Sequence, residues 1–580
     1  MKSSLALLVL LAFITALLAF RLNEINSPRP VIIANNIEKK NVVRCGPDWE
    51  ALNDLFEETE IPPIPGAGTH KWKISTTNDS AQFYFNQGIN MYYAFHIIES
   101  MASFKKAAKF DPGCAMLYWA QALAYGPNIN DVGYAASPDA LSATAKATEL
   151  MHSATDKEKI LIAAQQIRYS SDSTQTREKL NQLYVDKMKE AYENYPGDPD
   201  IAALYADALM LQHPWDLWRI DGTPKPWTPQ IRDILEKLLA KNPNHPGANH
   251  YYIHVMEPSP YFAKAIPSAD RLGKITPGLS HTVHMPSHIY LRSGNYQKGI
   301  DVNVNAVNSY KKSIPMYAPV TGNDFLYIIH NLHMKTNNAM LAGQSDISIK
   351  SAQETVESIP KEYLSIPGAL GNYIQYIYMT PELVKIRFGD WGWIIEGPTP
   401  ASEMKYAHVL YHFAMGMAKL KKGFLMEDVK EELASMESYM KDSSLLVPLS
   451  PFSAAIEGAN VAHAILEGTI ELKQKNFNKA IEHFKKAVTT EESMVYNEPR
   501  DWLLNPKHYL ADAFLQAGRI KEAKETLQKD LLNNNENGWA LFGLWQAFTA
   551  EKKTAEAAKI MTRFRKAFYR ADVKLSGPVF

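Results

Sequence analysis

His250 and His254 stand four residues apart in the stretch NHYYIHVMEPSP, with Glu257 three further on. On a helix that spacing stacks all three on one face. His281, His284 and His288 follow at i, i+3 and i+7 in SHTVHMPSHIYLRSG, again one helical face. His330 and His333 repeat the i, i+3 spacing in FLYIIHNLHM. Eight of the 17 histidines lie between His245 and His333, far more than an even spread would place there. Imidazole is the commonest ligand for zinc, copper and iron, and an i, i+4 pair offers two nitrogens to one ion. The expected chemistry is therefore binding of a divalent or transition metal, with zinc, copper or iron as candidates. His250, His254, His281, His284 and His288 are the expected nitrogen ligands. Glu257 is expected as an oxygen ligand or a base, and His330 and His333 just outside the ligand set. The competing reading is a hydrogen-bonded seam of core histidines. That reading is preferred for the lone residues His70 and His213 and for the His408–His412 pair.

Neighbouring elements must bring these groups together. His250 to His284 and His254 to His288 are each 34 residues apart. That is the period of the tetratricopeptide repeat (TPR), a pair of antiparallel helices. Positions one period apart are equivalent on neighbouring repeats, so the two His pairs are expected to face each other in one four-imidazole pocket. Pro286 interrupts the hydrogen-bond ladder between His284 and His288 and re-aims a ring.

The repeat is legible elsewhere. AQFYFNQGINMYYAFHIIESMASFKKAAKFDP carries Gly88 where two helices touch, Phe104 and Ala107 facing inward, and Pro112 as a stop. Gly468, Ala480, Phe484 and Ala487 keep the offsets of Gly88, Ser100, Phe104 and Ala107. Ser137-Pro138 reads as an N-cap with a first-turn proline, and Thr155 with Glu158 as a capping box. No alternating strand pattern runs for any length. The expected fold is all-α: a TPR-like, right-handed α-solenoid of paired antiparallel helices with irregular insertions, spanning residues 70–580. Its first helices line a concave face, toward which the His groups are expected to point. Trp539 and Trp545 are expected to cap the last turns. Trp215, Trp218 and Trp227 share one loop, QHPWDLWRIDGTPKPW. They either plug a gap between helix layers or form an aromatic platform for a ligand, a sugar ring included.

A net charge of −1 offers no broad attraction for nucleic acid or an anionic membrane surface, and neither is expected as a partner. Cys45 and Cys114 are too few for a disulfide framework but could form one bridge in an oxidising compartment. Leu5 to Phe20 is almost wholly apolar, follows Lys2 and ends at Arg21. It is shorter than the roughly 20 residues of a full membrane span. Residues 1–22 therefore read as an export signal, or alternatively as an N-terminal anchor, the sole membrane contact expected. Residues 23–69, punctuated by Pro28, Pro30, Pro62, Pro63 and Pro65, read as an extended linker. The body is expected to be periplasmic or otherwise exported. No HExxH helix, phosphate-binding Gly loop, CxxCH site or Gly-x-Ser-x-Gly elbow occurs. Catalytic residues are thus not identified, and any enzymatic activity is conditional on the metal.

Together the Ala81–Asn130 stretch, HYYIHVMEPSP, HTVHMPSHIYLRSGNY and the tail EPRDWLLNPKHYLADAFLQAGRIKEAKETLQKDLLNNNENGWALFGL resemble a family of exported bacterial TPR-repeat proteins. The likeness covers nearly the whole chain after about residue 65. It is similar to TPR proteins encoded beside polysaccharide-degrading enzymes of the ulvan-utilisation type. The resemblance implies a scaffold or binding protein holding a protein or glycan partner in its concave face. A metal-dependent enzyme built on the same solenoid is the alternative.

Overall fold

The computed structural model describes residues 49–130, 134, 136–317, 325–498 and 502–580. The expected export signal, the linker before Trp49 and Cys45 lie outside the described residues. Among those described, no strand forms; there are only two isolated bridges, Trp218–Pro224 and Pro448–Ala454. None of the described helices is long and apolar enough to cross a membrane.

Helices pack as sequential pairs, as the repeat period requires. Asp79–Tyr93 lies on Ile97–Phe110, Ala455–Lys473 on Phe477–Ser493, and Gly538–Ala550 on Thr554–Ala567. The close approach within a pair has an identifiable cause. A Cβ on Gly88 would sit 2.4 Å from the Phe104 ring, and one on Gly468 would sit 2.6 Å from Phe484. Each glycine is therefore the socket for an aromatic ring one helix later. Ser137 caps its helix through the Asp139 N–H, and Thr155 with Glu158 forms both halves of a capping box. The helices are thus all-α TPR-like pairs, with shorter, irregular pieces such as Thr380–Phe388 and Trp391–Ile395 between residues 343 and 404.

Three expectations change. From Trp49 onward the linker is not a free tether. Trp49–Glu58 is a helix, and Ile61, Ala67, Trp72 and Ile74 are buried. A row of amides on Asp79–Tyr93 clasps this stretch. Gln87 accepts from the Ile64 N–H at 2.8 Å, Asn86 from Trp72 at 3.1 Å and Gln82 from Ile74 at 3.2 Å, while Asn90 donates to the His70 carbonyl at 2.9 Å. Trp539 is fully buried rather than a cap. Its indole N–H donates to the Met340 carbonyl at 2.9 Å, and the Arg387 guanidinium lies 3.9 Å over its ring. Finally, the histidines do not face an open concavity. His250, His254, His281, His284 and His288 are all buried.

The apolar interior falls into two main bodies. One runs from Trp49 to Tyr317 and the other from Phe325 to Phe568. The histidine groups sit where these two bodies meet, with side chains contributed from both.

Candidate metal centre

Four helices and one loop position the groups. Pro246–Met256 carries His250 and His254; it starts with proline at its first turn and ends at Glu257, followed by Pro258. Ser280–His284 and Pro286–Arg292 carry His281, His284 and His288, and the break at Met285 is where Pro286 supplies no N–H. Phe325–Leu341 brings His330. Glu498 arrives from the stretch after Phe477–Ser493.

The structure does not place four imidazoles in one pocket. It forms two triads. In the first, His250 Nε2 lies 3.1 Å from both His254 Nε2 and His281 Nε2. In the second, His284 Nε2 lies 2.8 Å from His288 Nε2 and 2.9 Å from His330 Nε2. His281 and His330 are thus direct members, while the two i, i+4 pairs belong to different triads. Nitrogens bound to one ion at about 2.0–2.1 Å are about 2.9–3.4 Å apart, depending on the coordination angle. Two contacts in each triad, at 2.8–3.1 Å, are close to that spacing.

The opposite ring nitrogens decide which lone pairs are free. His250 Nδ1 is 2.6 Å from the Tyr93 carbonyl, which can only accept. The proton must sit on Nδ1, so Nε2 presents a bare lone pair in the neutral ring. His284 Nδ1 likewise donates to Asn303 Oδ1 at 2.7 Å, since the Asn303 amide N–H2 is committed to the Gly299 carbonyl. His254 Nδ1 donates to Glu257 Oε1 at 3.0 Å. His288 Nδ1 lies 3.1 Å from Glu257 Oε2, to which the Tyr496 hydroxyl also donates at 2.9 Å. Glu257 therefore addresses the far edges of His254 and His288, rather than joining the Nε2 atoms as a ligand. This is the carboxylate–histidine arrangement that fixes metal-binding tautomers.

Glu498 was not anticipated. Its Oε1 is 3.3 Å from His254 Nδ1, and its Oε2 is 3.9 Å from both His288 Nε2 and His330 Nε2. A lone glutamate in NEPRDW has no local pattern to mark it. His254, Glu257 and Glu498 form a further group able to hold an ion. Burial and the neighbouring Glu257 push the Glu498 carboxyl up to about 7.

Electrostatics divides the imidazoles. Burial, reinforced by neighbouring rings, holds His250, His281, His284 and His330 well below the usual imidazole range. Burial also disfavours charge on His254, but Glu257 and Glu498 outweigh it and push His254 up to about 9. The same carboxylates raise His288. Each triad thus holds two rings kept neutral, His250 and His281 in the first and His284 and His330 in the second, and neutral imidazole is a donor that suits zinc, copper or iron. A single lone pair cannot accept well from two neighbouring rings at once.

The rest of the expected set is elsewhere. His333 is buried, with its ring 5.9 Å from Tyr376, and belongs to neither triad. The three tryptophans do not share a platform. Each indole N–H is spent on a different backbone carbonyl: Trp215 on Ile129, Trp218 on Val255 and Trp227 on Asp216. Trp215 stands edge-on to His254 at 5.4 Å and, with Ile129, Met210, His213, Leu217 and Pro258, lines a small cavity beside it. Trp227 stacks on His213 at 3.5 Å. Phe95, with φ of 56°, lies 4.5 Å from His250 and 5.6 Å from His281 and shields the first triad.

His70, Asp200 and His245 form another close group, but its hydrogen bonds are complete. His245 Nδ1 accepts the Ala248 N–H at 3.1 Å, so Nε2 carries the proton and points it at Asp200. Asp200 also accepts from Tyr93 at 2.9 Å and lies 2.7 Å from His70 Nε2. This network buttresses Tyr93, whose carbonyl holds His250. His412 is paired with Glu432 at 2.7 Å, and His408 stacks on Tyr439 at 4.4 Å, both packing roles.

No protein-family model matches the chain, and no curated protein matches it. Solved structures of helical-repeat proteins are similar in outline. The human IFIT1 dimer with m7Gppp-AAAA is 11% identical over 86% of this chain and 96% of that one, with a TM-score of 0.33. Yeast Tom70 is 14% identical over 84% and 91%, with a TM-score of 0.31. The APC/C hetero-tetramer Cut9-Hcn1 is 12% identical over 91% and 81%, with a TM-score of 0.27. Likeness at this distance transfers no function.

Proposed function

We propose that this protein is a metalloprotein: a TPR-like helical scaffold whose buried histidine centre binds a transition metal through imidazole nitrogens. One observation carries the reading. Six Nε2 atoms converge in two tight triads, and His250 and His284 are held by acceptors on Nδ1 that leave Nε2 as the ligand atom. Three protein nitrogens per ion is the ligand count of catalytic rather than closed structural sites, so metal-dependent activation of water or of a small ligand is the enzymatic form of this proposal. Metal analysis of protein purified without chelator tests it. At least one equivalent of copper, zinc or iron is expected. Less than about a tenth of an equivalent, with none taken up on reconstitution, removes the metal reading.

A second reading keeps the solenoid as a holder for a protein or glycan partner, in an exported setting linked to polysaccharide degradation. Its support is the repeat architecture, which suits extended partners, together with the apolar N-terminal run. Fractionation with intact-mass measurement tests export. Affinity capture from cells grown on the polysaccharide tests the partner.

A further inference from the structure

We infer that the centre holds two ions, one in each triad, and that Glu257 is a positioning residue shared by both. The inference rests on the metal-binding reading above and deepens it.

The count follows from reach. An ion with bonds of about 2.1 Å can join nitrogens no more than about 4.2 Å apart. The six Nε2 atoms separate into two groups at a limit of 4.8 Å, and neither group takes in a member of the other. Within each group the measured contacts are 2.8–3.1 Å. One ion cannot serve both sets, and in each set two of the three nitrogen pairs are within one ion's reach.

The coupling follows from Glu257. One oxygen holds His254 of the first triad at 3.0 Å, and the other lies 3.1 Å from His288 of the second. The carboxylate is fixed from behind: Tyr496 donates to Oε2 at 2.9 Å, and Arg292 donates to the Glu257 carbonyl at 2.7 Å. Turning it away from one ring displaces it from the other. Glu498 enters on the Nε2 side of the second triad, 3.9 Å from two of its nitrogens. Three nitrogens per ion leave positions that a small anion of hydroxide or azide size can fill, between or beside the two ions.

The experiment loads metal-free full-length protein with Co(II) and counts ions by native mass spectrometry, while the visible spectrum follows coordination. Two ions per chain are expected, and azide is expected to change the cobalt bands. His281→Ala and His330→Ala should each leave one ion, and the double variant none. Glu257→Gln, which keeps the volume, should weaken both ions together by at least about tenfold. One ion in the wild-type protein overturns the two-ion inference and leaves the metal reading standing; no ion overturns both. Loss of both ions from either single histidine substitution also overturns it, as does a Glu257→Gln defect confined to one triad. Should an alanine variant fail to fold, the wild-type count and Glu257→Gln still decide.

Discussion

His250 takes its proton position from a carbonyl 157 residues earlier, that of Tyr93, and His284 takes its own from Asn303. Asn303→Ala should therefore lower metal affinity by about 10–100-fold while leaving all six imidazoles in place, measurable by competition with a chelator of known affinity. His333 supplies a different test. Burial pushes it down to about 3, against about 6.5 in an unfolded chain. The folded state keeps this ring neutral, so its contribution is intact above pH 6.5. Below that the unfolded chain takes up a proton that the folded one refuses. Stability falls by about 1.4 kcal/mol per pH unit from this residue alone, down to about pH 3. Urea midpoints across that range should show a shallower acid limb in His333→Phe. Helical spacing alone marked His250, His254, His281, His284 and His288, because one face of a helix is readable from a string. It could not separate His330 from His333, which differ only in what stands opposite them. Nor could it find Asn303, Tyr496 or Glu498, whose roles depend wholly on distant partners.

The glycine sockets explain why the repeat was readable: a missing Cβ at a fixed offset from an aromatic ring is a sequence feature. Gly88→Ala should cost about 1–3 kcal/mol, because its methyl would enter the Phe104 ring. Phe104→Leu in the same chain should recover part of that loss, a coupling that a double-mutant cycle reads directly. The segment before Thr76 was less legible. Its prolines suggest a tether, and its backbone is indeed not helical beyond Glu58, yet it is bound by amides of the following helix. Gln82, Asn86, Gln87 and Asn90 look like ordinary polar surface until the strip they hold is seen. The break at Met285 was foreseen from Pro286. Its effect was not: His284 and His288, on either side of the break, share one triad, while His281, on His284's own helix, joins the other.

Two apolar bodies meet at the histidine centre, and Arg292 is a principal clasp between them. Its guanidinium donates to the carbonyls of Glu257, Ser259 and Asn533 at 2.7, 3.3 and 3.0 Å. Arg292→Ala strands three carbonyls, two of them on the strip that carries Glu257. It should cost about 3–5 kcal/mol and weaken metal binding as well, seen as a lower Tm whose metal-induced rise is also reduced. The paired-helix class was legible throughout, but this junction was not, because a period describes neighbours and says nothing of contacts between residues 292 and 533. The late arrival of Glu498 and Asn533 also sets an order of events during synthesis. The ribosome delivers all six imidazoles well before the chain that closes over them. If the centre binds metal as proposed, a growing polypeptide would capture an ion in a loose, exchangeable form. Only the finished C-terminal portion would lock it in, so a prematurely terminated product would be leaky toward metal rather than blind to it.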